Sequence, residues 1–266
     1  MVHQDLLHHS IQAAITAGDA ILEVYHQEHI ETMAKADESP LTQADLAANA
    51  ILMEQLGLTG IPIISEEIKN VAYSARKNWE ECWIIDPLDG TKEFINRNGE
   101  FTVNIALLTD AKLQLGIIYV PVTGVLYFTN STMTAAYRYD YKNELPEMEE
   151  LLEKSEQLLP HKSEEELKVV GSKSHMNEAT LGFIENLKKE TEREVVIESV
   201  GSSLKFCLVA SGVCEVYPRF GPTMEWDTAA GQALCEAVGL QVLDAKTQLP
   251  LEYNKEDLYN PFFIVN

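Results

Sequence analysis

The residues best suited to chemistry lie where an apolar run, Cys82-Trp83-Ile84-Ile85, ends in Asp86-Pro87-Leu88-Asp89-Gly90-Thr91. Two carboxylates stand three residues apart, and a glycine, a hydroxyl and Lys92 follow at once. The run reads as a buried strand. Pro87 ends it and Gly90 permits a sharp turn, so Asp86 and Asp89 sit at a strand mouth and can aim at one point. Such carboxylates repel each other, and burying them unpaired is costly. A divalent cation removes both penalties. An oxygen-only ligand set suits Mg²⁺, Mn²⁺ or Ca²⁺ rather than zinc.

Further carboxylates occupy comparable places. The short apolar run Ile61-Pro62-Ile63-Ile64 ends in Ser65-Glu66-Glu67. Asp227 stands in Glu225-Trp226-Asp227-Thr228-Ala229-Ala230-Gly231, a helix start whose small residues allow close packing. Glu66, Asp86, Asp89 and Asp227 are therefore the candidate metal set. Asp45 follows Thr42 by three residues, close to a capping box, so Asp45 and Asp227 are also explained as first-turn carboxylates favoured by the helix dipole. Ser172-Lys173-Ser174-His175 and Gly201-Ser202-Ser203 are loop-to-helix junctions whose backbone N–H groups suit an anion. Lys205 and Arg219 are cation partners for a phosphate. The chain has no P-loop, no GxGxxG fingerprint and no GxSxG elbow, so metal-activated water is the economical nucleophile.

The elements that must position these groups follow from periodicity and punctuation. An amphipathic helix is expected over about 4–28 and another from Thr42 to about Leu56. A loop or short helix, with some mobility, covers Ile68 to Glu80. Strands are expected at Phe101 to Leu108, Leu113 to Tyr119, Gly124 to Phe128 and Met133 to Arg138, a meander giving a largely antiparallel sheet covered by helices. From Asp140 to Glu166 ten acidic residues face three lysines, and this reads as a solvated connection with a short helix. Strands at Leu167 to Val170, Glu194 to Glu198 and Val213 to Tyr217 then alternate with helices at 176–189, Leu204 to Ala210 and Glu225 to about Val238. Tyr259 to Val265 closes the chain as an edge strand. The expected organisation is a metal-binding subdomain over 1–139, an acidic connection over 140–166 and an α/β recognition subdomain over 167–266.

Composition narrows the function. Hydrophobic residues make up 45% of the 266, enough for a large core. The formal net charge of -22 argues against long nucleic acid as a partner but not against a small anionic substrate. No stretch approaches the roughly 18 apolar residues of a membrane helix, and no secretory signal is visible. Cys82, Cys207, Cys214 and Cys235 are scattered in apolar contexts, as buried free thiols of a reducing, cytoplasmic compartment would be.

Two motifs are specific enough to carry a resemblance: Trp83-Ile84-Ile85-Asp86-Pro87-Leu88-Asp89-Gly90-Thr91 and Trp226-Asp227-Thr228-Ala229-Ala230-Gly231. The chain resembles the lithium-sensitive, magnesium-dependent phosphatase family that includes the inositol monophosphatases, over roughly 4–260. Three further stretches, 35–45, 201–207 and 217–227, and the Lys92-Glu93-Phe94 that follows Thr91, resemble the branch acting on 3'(2'),5'-bisphosphate nucleotides. The resemblance implies a layered α/β fold, an αβαβα sandwich with two subdomains. It implies two or three Mg²⁺ ions held by Glu66, Asp86, the Leu88 carbonyl, Asp89 and Asp227. Thr91 would orient the attacking water with Asp45 or Glu67, and the Gly90 and Thr91 N–H groups would cradle the transferred phosphate. Ser172, Lys173, Ser174, His175, Gly201, Ser202, Lys205, Arg219, Glu225 and Asp227 would meet the substrate. That substrate would be adenosine 3',5'-bisphosphate, a by-product of sulfate assimilation, and by extension 3'-phosphoadenosine 5'-phosphosulfate. The alternatives left open are an inositol-1-phosphatase or broad sugar phosphatase and, in another class, a non-catalytic binding protein. Monomer or homodimer, and peripheral membrane association, are both compatible with the sequence.

Overall fold

The computed structural model describes residues 2–28, 32–34, 40–171 and 176–266, organised around one seven-stranded sheet. In chain order the first half comprises α1 (Val2–Tyr25), β1 (Thr32–Ala34), β2 (Pro40–Thr42), α2 (Gln43–Gly57), β3 (Ile63–Ser65), α3 (Tyr73–Arg76), β4 (Glu81–Asp89), α4 (Thr91–Ile95), β5 (Thr102–Thr109), β6 (Lys112–Val120), β7 (Val125–Thr129) and β8 (Ala136–Asp140). The second comprises α5 (Met148–Lys154), β9 (Glu156–Gln157), β10 (Glu166–Gly171), α6 (Glu178–Glu190), β11 (Glu194–Ser199), α7 (Leu204–Ala210), β12 (Tyr217–Arg219), α8 (Glu225–Ala237), β13 (Val242–Asp244) and β14 (Phe263–Val265).

The large sheet runs β3 to β9 in sequence order. Only β3–β4 is parallel, and the remaining pairs are antiparallel, as the meander predicts. Its central strands are mostly apolar because both faces are covered, with Asp86, Thr102 and Asn104 as buried polar exceptions. Successive side chains alternate between faces. Trp83, Ile85, Ile105 and Leu107 pack with Leu7, Ile11 and Leu52 of α1 and α2, whereas Ile84, Ala106 and Leu108 pack with Phe206, Ala229, Ala233 and Leu234 of α7 and α8. Beyond those helices lie the three-stranded sheet β12-β14-β13 and the parallel pair β10–β11. Helix α6 covers that pair, with Ile184 against Leu167 and Val169. The succession is helix, sheet, helix, sheet, helix, the αβαβα order expected.

Contact between α8 and the large sheet is close because Gly116 on β6 has no side chain. A Cβ there would lie 2.5 Å from Ala230 O and 2.6 Å from the Ala233 Cβ. The small-residue run after Asp227 thus seats α8 on β6 and fixes the carboxylate at its start.

Three expectations change. Strand β14 is the central strand of its sheet, paired on both sides, rather than an edge. The strand expected from Val213 begins only at Tyr217, because the chain first turns back after α7, with Cys214 N–H bonded to Leu208 O at 3.0 Å. The 140–166 stretch contains the short helix, but Met148 and Leu151 are buried in the core and β9 adds the seventh strand, so it is more than a solvated connection. The segment after Glu67 contains the short helix expected there, α3. Arg76 is buried and donates to Asn254 Oδ1 at 2.8 Å and Glu256 O at 2.9 Å. Among the described residues, no helix is long and apolar enough to cross a membrane. All four cysteines are buried and unbridged.

Candidate active site

Asp86 and Asp89 are an odd number of residues apart, so in a regular strand their side chains would point to opposite faces. The register shows why they do not. Asp86 lies opposite Asn104 and Asp89 opposite Thr102, so three steps on β4 match two on β5. This one-residue bulge restores a common face. Pro87, which has no N–H for a ladder bond, falls inside it. The turn is closed by the Leu88 N–H, which donates to Asp86 Oδ1 at 3.1 Å. The Leu88 side chain is buried in the core beneath.

The third carboxylate comes from the far half of the chain. Asp227 is the third residue of α8, where its Oδ2 accepts the Met224 N–H at 2.7 Å. It is therefore a helix cap and a member of the cluster at once. One oxygen each of Asp86, Asp89 and Asp227 lie within 4.8 Å of one another. Burial raises the Asp86 pKa well above the ordinary carboxylate value, and the charges of Glu66, Asp89 and Asp227 push it further. Burial, with Asp89 and Glu66, pushes Asp227 up to about 8. Asp86 Oδ2 is buried and, among the described residues, receives no hydrogen bond from a neutral or positive donor; the carboxyl set against Asp86 is the like-charged Glu66. Three crowded carboxylates, one with an orphaned oxygen, fit a hard divalent cation. Glu66 is outside this tight trio but near enough to act on both Asp86 and Asp227.

Next to the trio the chain turns at Gly90, whose φ of 97° and ψ of 44° are left-handed. A Cβ there would also press on Glu100 O at 3.1 Å, so glycine is required twice over. The turn opens α4 with Thr91. Thr91 Oγ1 donates to Asp45 Oδ1 at 3.2 Å. Asp45 Oδ2 accepts the Thr42 N–H at 2.7 Å and the Thr42 hydroxyl at 2.6 Å, the capping box that starts α2. Both readings of Asp45 hold together, because one oxygen caps the helix and the other orients Thr91. Glu67 is half-buried in the turn after β3, where its N–H reaches Ser65 Oγ at 3.3 Å.

The opposite side of the cleft is lined by Gly201, Ser202, Lys205, Tyr217 and Arg219. Ser202 has φ 44°, a left-handed backbone uncommon for a serine, and its Oγ is buried with no partner. Arg219 donates through Nη2 to Pro222 O at 3.0 Å, while its Nε is buried and unpartnered. Lys205 Nζ donates to Ser202 O at 2.6 Å, and burial lowers its pKa to about 8 against the opposing pull of Asp89.

Two of the expected substrate contacts have polar groups already engaged within the protein. The Gly201 N–H is already taken by Glu100 Oε2 at 2.8 Å, so it is not open to an anion. Glu225 is fully buried beneath the cleft, accepting from Asn254 N at 2.6 Å, Lys255 N at 3.0 Å and Lys255 Nζ at 2.6 Å. Its charge is spent on packing the 254–256 loop against α8, which leaves no face for a sugar. Ser172, Lys173, Ser174 and His175 lie outside the described residues. Sequence reasoning missed Asn104 and Thr102 and gave Ser203 only a backbone role in an anion-binding junction; all three are buried polar residues that touch Asp89 or one another. The available signal was an asparagine within the apolar run from Phe101 to Leu108, where burial demands a partner.

Comparison with known proteins agrees with this geometry. Residues 3–261 match the inositol monophosphatase family. The 3'(2'),5'-bisphosphate nucleotidase CysQ of Shigella flexneri is 42% identical over 259 residues, spanning 96% of this chain and 97% of that protein. The protein of that name from Haemophilus influenzae is 31% identical over 267 residues, 99% of this chain and 93% of that one. The crystal structure of CysQ from Bacteroides thetaiotaomicron superposes with a TM-score of 0.89 at 46% identity, covering 99% of this chain and 97% of that one. Inositol monophosphatase II of Staphylococcus aureus, at 20% identity and a TM-score of 0.73 over 98% of this chain and 88% of that one, shares the fold. The bulged strand with its two aspartates, the third aspartate at the head of α8 and the five layers that join them have one conclusion: the chain belongs to the inositol monophosphatase family.

Proposed function

We propose that the chain is a magnesium-dependent phosphomonoester hydrolase that removes the 3'-phosphate of adenosine 3',5'-bisphosphate, giving AMP and phosphate, and that also accepts 3'-phosphoadenosine 5'-phosphosulfate. The observation that carries this reading is the pairing across one cleft. The Asp86, Asp89 and Asp227 oxygens gather within 4.8 Å, and Lys205 and Arg219 face the same space. The nucleotidases that resemble the chain over nearly its whole length give the substrate class.

Asp86, Asp89 and Asp227, with Glu66 and the Leu88 carbonyl, would hold two or three Mg²⁺ ions. Bound there, Mg²⁺ supplies positive charge for the phosphoryl and leaving 3'-oxygens and a water that ionises near neutral pH. Thr91, its proton committed to Asp45, offers its oxygen lone pairs to the attacking water and so sets the line of attack. Glu67 stands as a further acceptor for the water's proton. The Gly90 and Thr91 N–H groups open α4 and lack carbonyl partners within it, which suits them to the phosphoryl oxygens. Ser202, Lys205 and Arg219 bind the rest of the nucleotide, with Arg219 and Lys205 toward its second phosphate. Ser172, Lys173, Ser174 and His175, outside the described residues, are proposed to contribute further nucleotide contacts. The buried, unbridged cysteines support a reducing compartment such as the cytoplasm.

Phosphate release from adenosine 3',5'-bisphosphate and inositol 1-phosphate, each with and without Mg²⁺, tests the reading. The expected result is Mg²⁺-dependent release with a strong kcat/KM preference for the nucleotide. A preference for inositol phosphate would leave the metal site standing and overturn the substrate. Release indifferent to chelator would overturn the metal.

A further inference from the structure

Asp89 receives two hydrogen bonds from buried neutral side chains, both at Oδ2. Ser203 Oγ donates at 2.7 Å and Asn104 Nδ2 at 3.3 Å. Asn104 Nδ2 also donates to Ser203 Oγ at 2.8 Å, which closes a triangle. The proton order within it is fixed from one end. Thr102 Oγ1 donates to Asn104 Oδ1 at 3.0 Å, so the Asn104 amide must turn its NH₂ toward Ser203 and Asp89. Ser203 accepts from Asn104, and its single proton goes to Asp89 as the shorter contact. Thr102, Asn104 and Ser203 are 0%, 1% and 2% exposed. In such a setting each hydrogen bond is strong and a missing one costly, so the arrangement is held in a single state.

Ser203 also lies 3.1 Å from Asp227 O. One hydroxyl therefore touches both the carboxylate delivered by β4 and the backbone of the residue delivered by α8. Asp89 belongs to the large sheet and Asp227 to the helix layer packed on it. The Ser203–Asn104 pair therefore fixes Asp89 at a defined place beside the start of α8. With Oδ2 committed to two donors, Asp89 offers its other oxygen in one direction.

We infer that Asn104 and Ser203 are positioning residues that fix the Asp89 carboxylate relative to Asp227 and thereby set the site's affinity for a divalent cation. The inference rests on the metal site proposed above. Partners of this kind, one step removed from a metal, are worth about 10- to 100-fold in affinity.

The test is equilibrium binding of Mn²⁺ to the full chain, read as free-ion signal by electron paramagnetic resonance, with Tm in chelator alongside. Ser203→Ala is expected to raise the Mn²⁺ Kd by about 10- to 100-fold while Tm without metal stays near wild type, and Ser203→Thr, which keeps the hydroxyl, is expected to restore most of the affinity. Asn104→Ala provides an independent arm should Ser203→Ala fail to fold, with the same expected loss. A Kd within about twofold of wild type in a folded variant from either position overturns the inference. Equal weakening in Ser203→Ala and Ser203→Thr assigns the effect to packing and also overturns it. Wild-type protein that binds no Mn²⁺ overturns the metal site itself, a different failure from variants that bind as wild type does.

Discussion

On the β4 side of the cleft, the groups set closest to the phosphoryl chemistry are held by the protein's own hydrogen bonds. Asp45 holds Thr42 and Thr91, and Ser203 with Asn104 holds Asp89. On the opposite side, Ser202 Oγ and Arg219 Nε are buried without partners. The β4 side has one orphan as well, Asp86 Oδ2, but it is of the opposite kind. That orphan is an anionic acceptor and asks for a cation. Those across the cleft are a hydroxyl and a guanidinium N–H, and they ask for an oxygen-rich, negatively charged ligand. Each such atom costs about 1–3 kcal/mol when left unpaired. The difference between the walls is thus a division of labour. In one, protein hydrogen bonds set the geometry of Thr91 and Asp89 and a cation completes it, and the other is completed by the anionic ligand.

The largest effect should come from breaking the β4 wall. Asp89→Asn is expected to lower kcat on the order of a thousandfold, about 4 kcal/mol of transition-state stabilisation, with circular dichroism unchanged. Near wild-type kcat would sink the assignment of that wall to chemistry. Thr91→Val should cost about a hundredfold in kcat with little change in KM, because it removes the hydroxyl that orients the water but no binding group. A loss confined to KM would instead move Thr91 to the recognition side.

Lys205 sharpens the comparison through pH. Its folded pKa of about 8 lies below the ordinary 10.5, with burial the main cause. Between those values the unfolded chain holds a proton that the folded chain has released, so this group's contribution to stability rises with pH there and is a constant cost below about pH 8. In chelator, the stability of wild type relative to Lys205→Met should improve by about 1–3 kcal/mol from pH 8 to 10.5, measured by urea unfolding. A pH-independent difference would show Lys205 to be unstrained and the recognition wall better satisfied than described.

The two walls were also unequally legible. The β4 turn could be read from a few residues, since an apolar run broken by Asp86, Pro87, Asp89 and Gly90 leaves few conformations and few reasons to exist. The meander and the helices around α7 and α8 were readable for the same local reason. The bulge that brings Asp86 and Asp89 to one face was not, because it depends on pairing with β5. The engagement of Gly201 and Glu225 was not legible because their partners, Glu100 and Lys255, are distant in sequence, and no local pattern announces that an N–H or a carboxylate is already taken. Ser203 was hidden likewise, as its hydroxyl acquires a role only when α8 brings Asp227 beside Asp89.

The division of labour is tested most directly by kcat/KM of wild type and Arg219→Met on adenosine 3',5'-bisphosphate and inositol 1-phosphate, at saturating Mg²⁺. Arg219 leaves Nε unpaired in the recognition wall, and among the described residues its hydrogen bond goes to Pro222 O while only its charge reaches Asp227. The predicted result is a loss of about tenfold or more on the bisphosphate, some 1.4 kcal/mol, with inositol 1-phosphate nearly unaffected. An equal loss on both substrates would contradict the account, because it would place Arg219 in the chemistry that the β4 wall is held to perform alone.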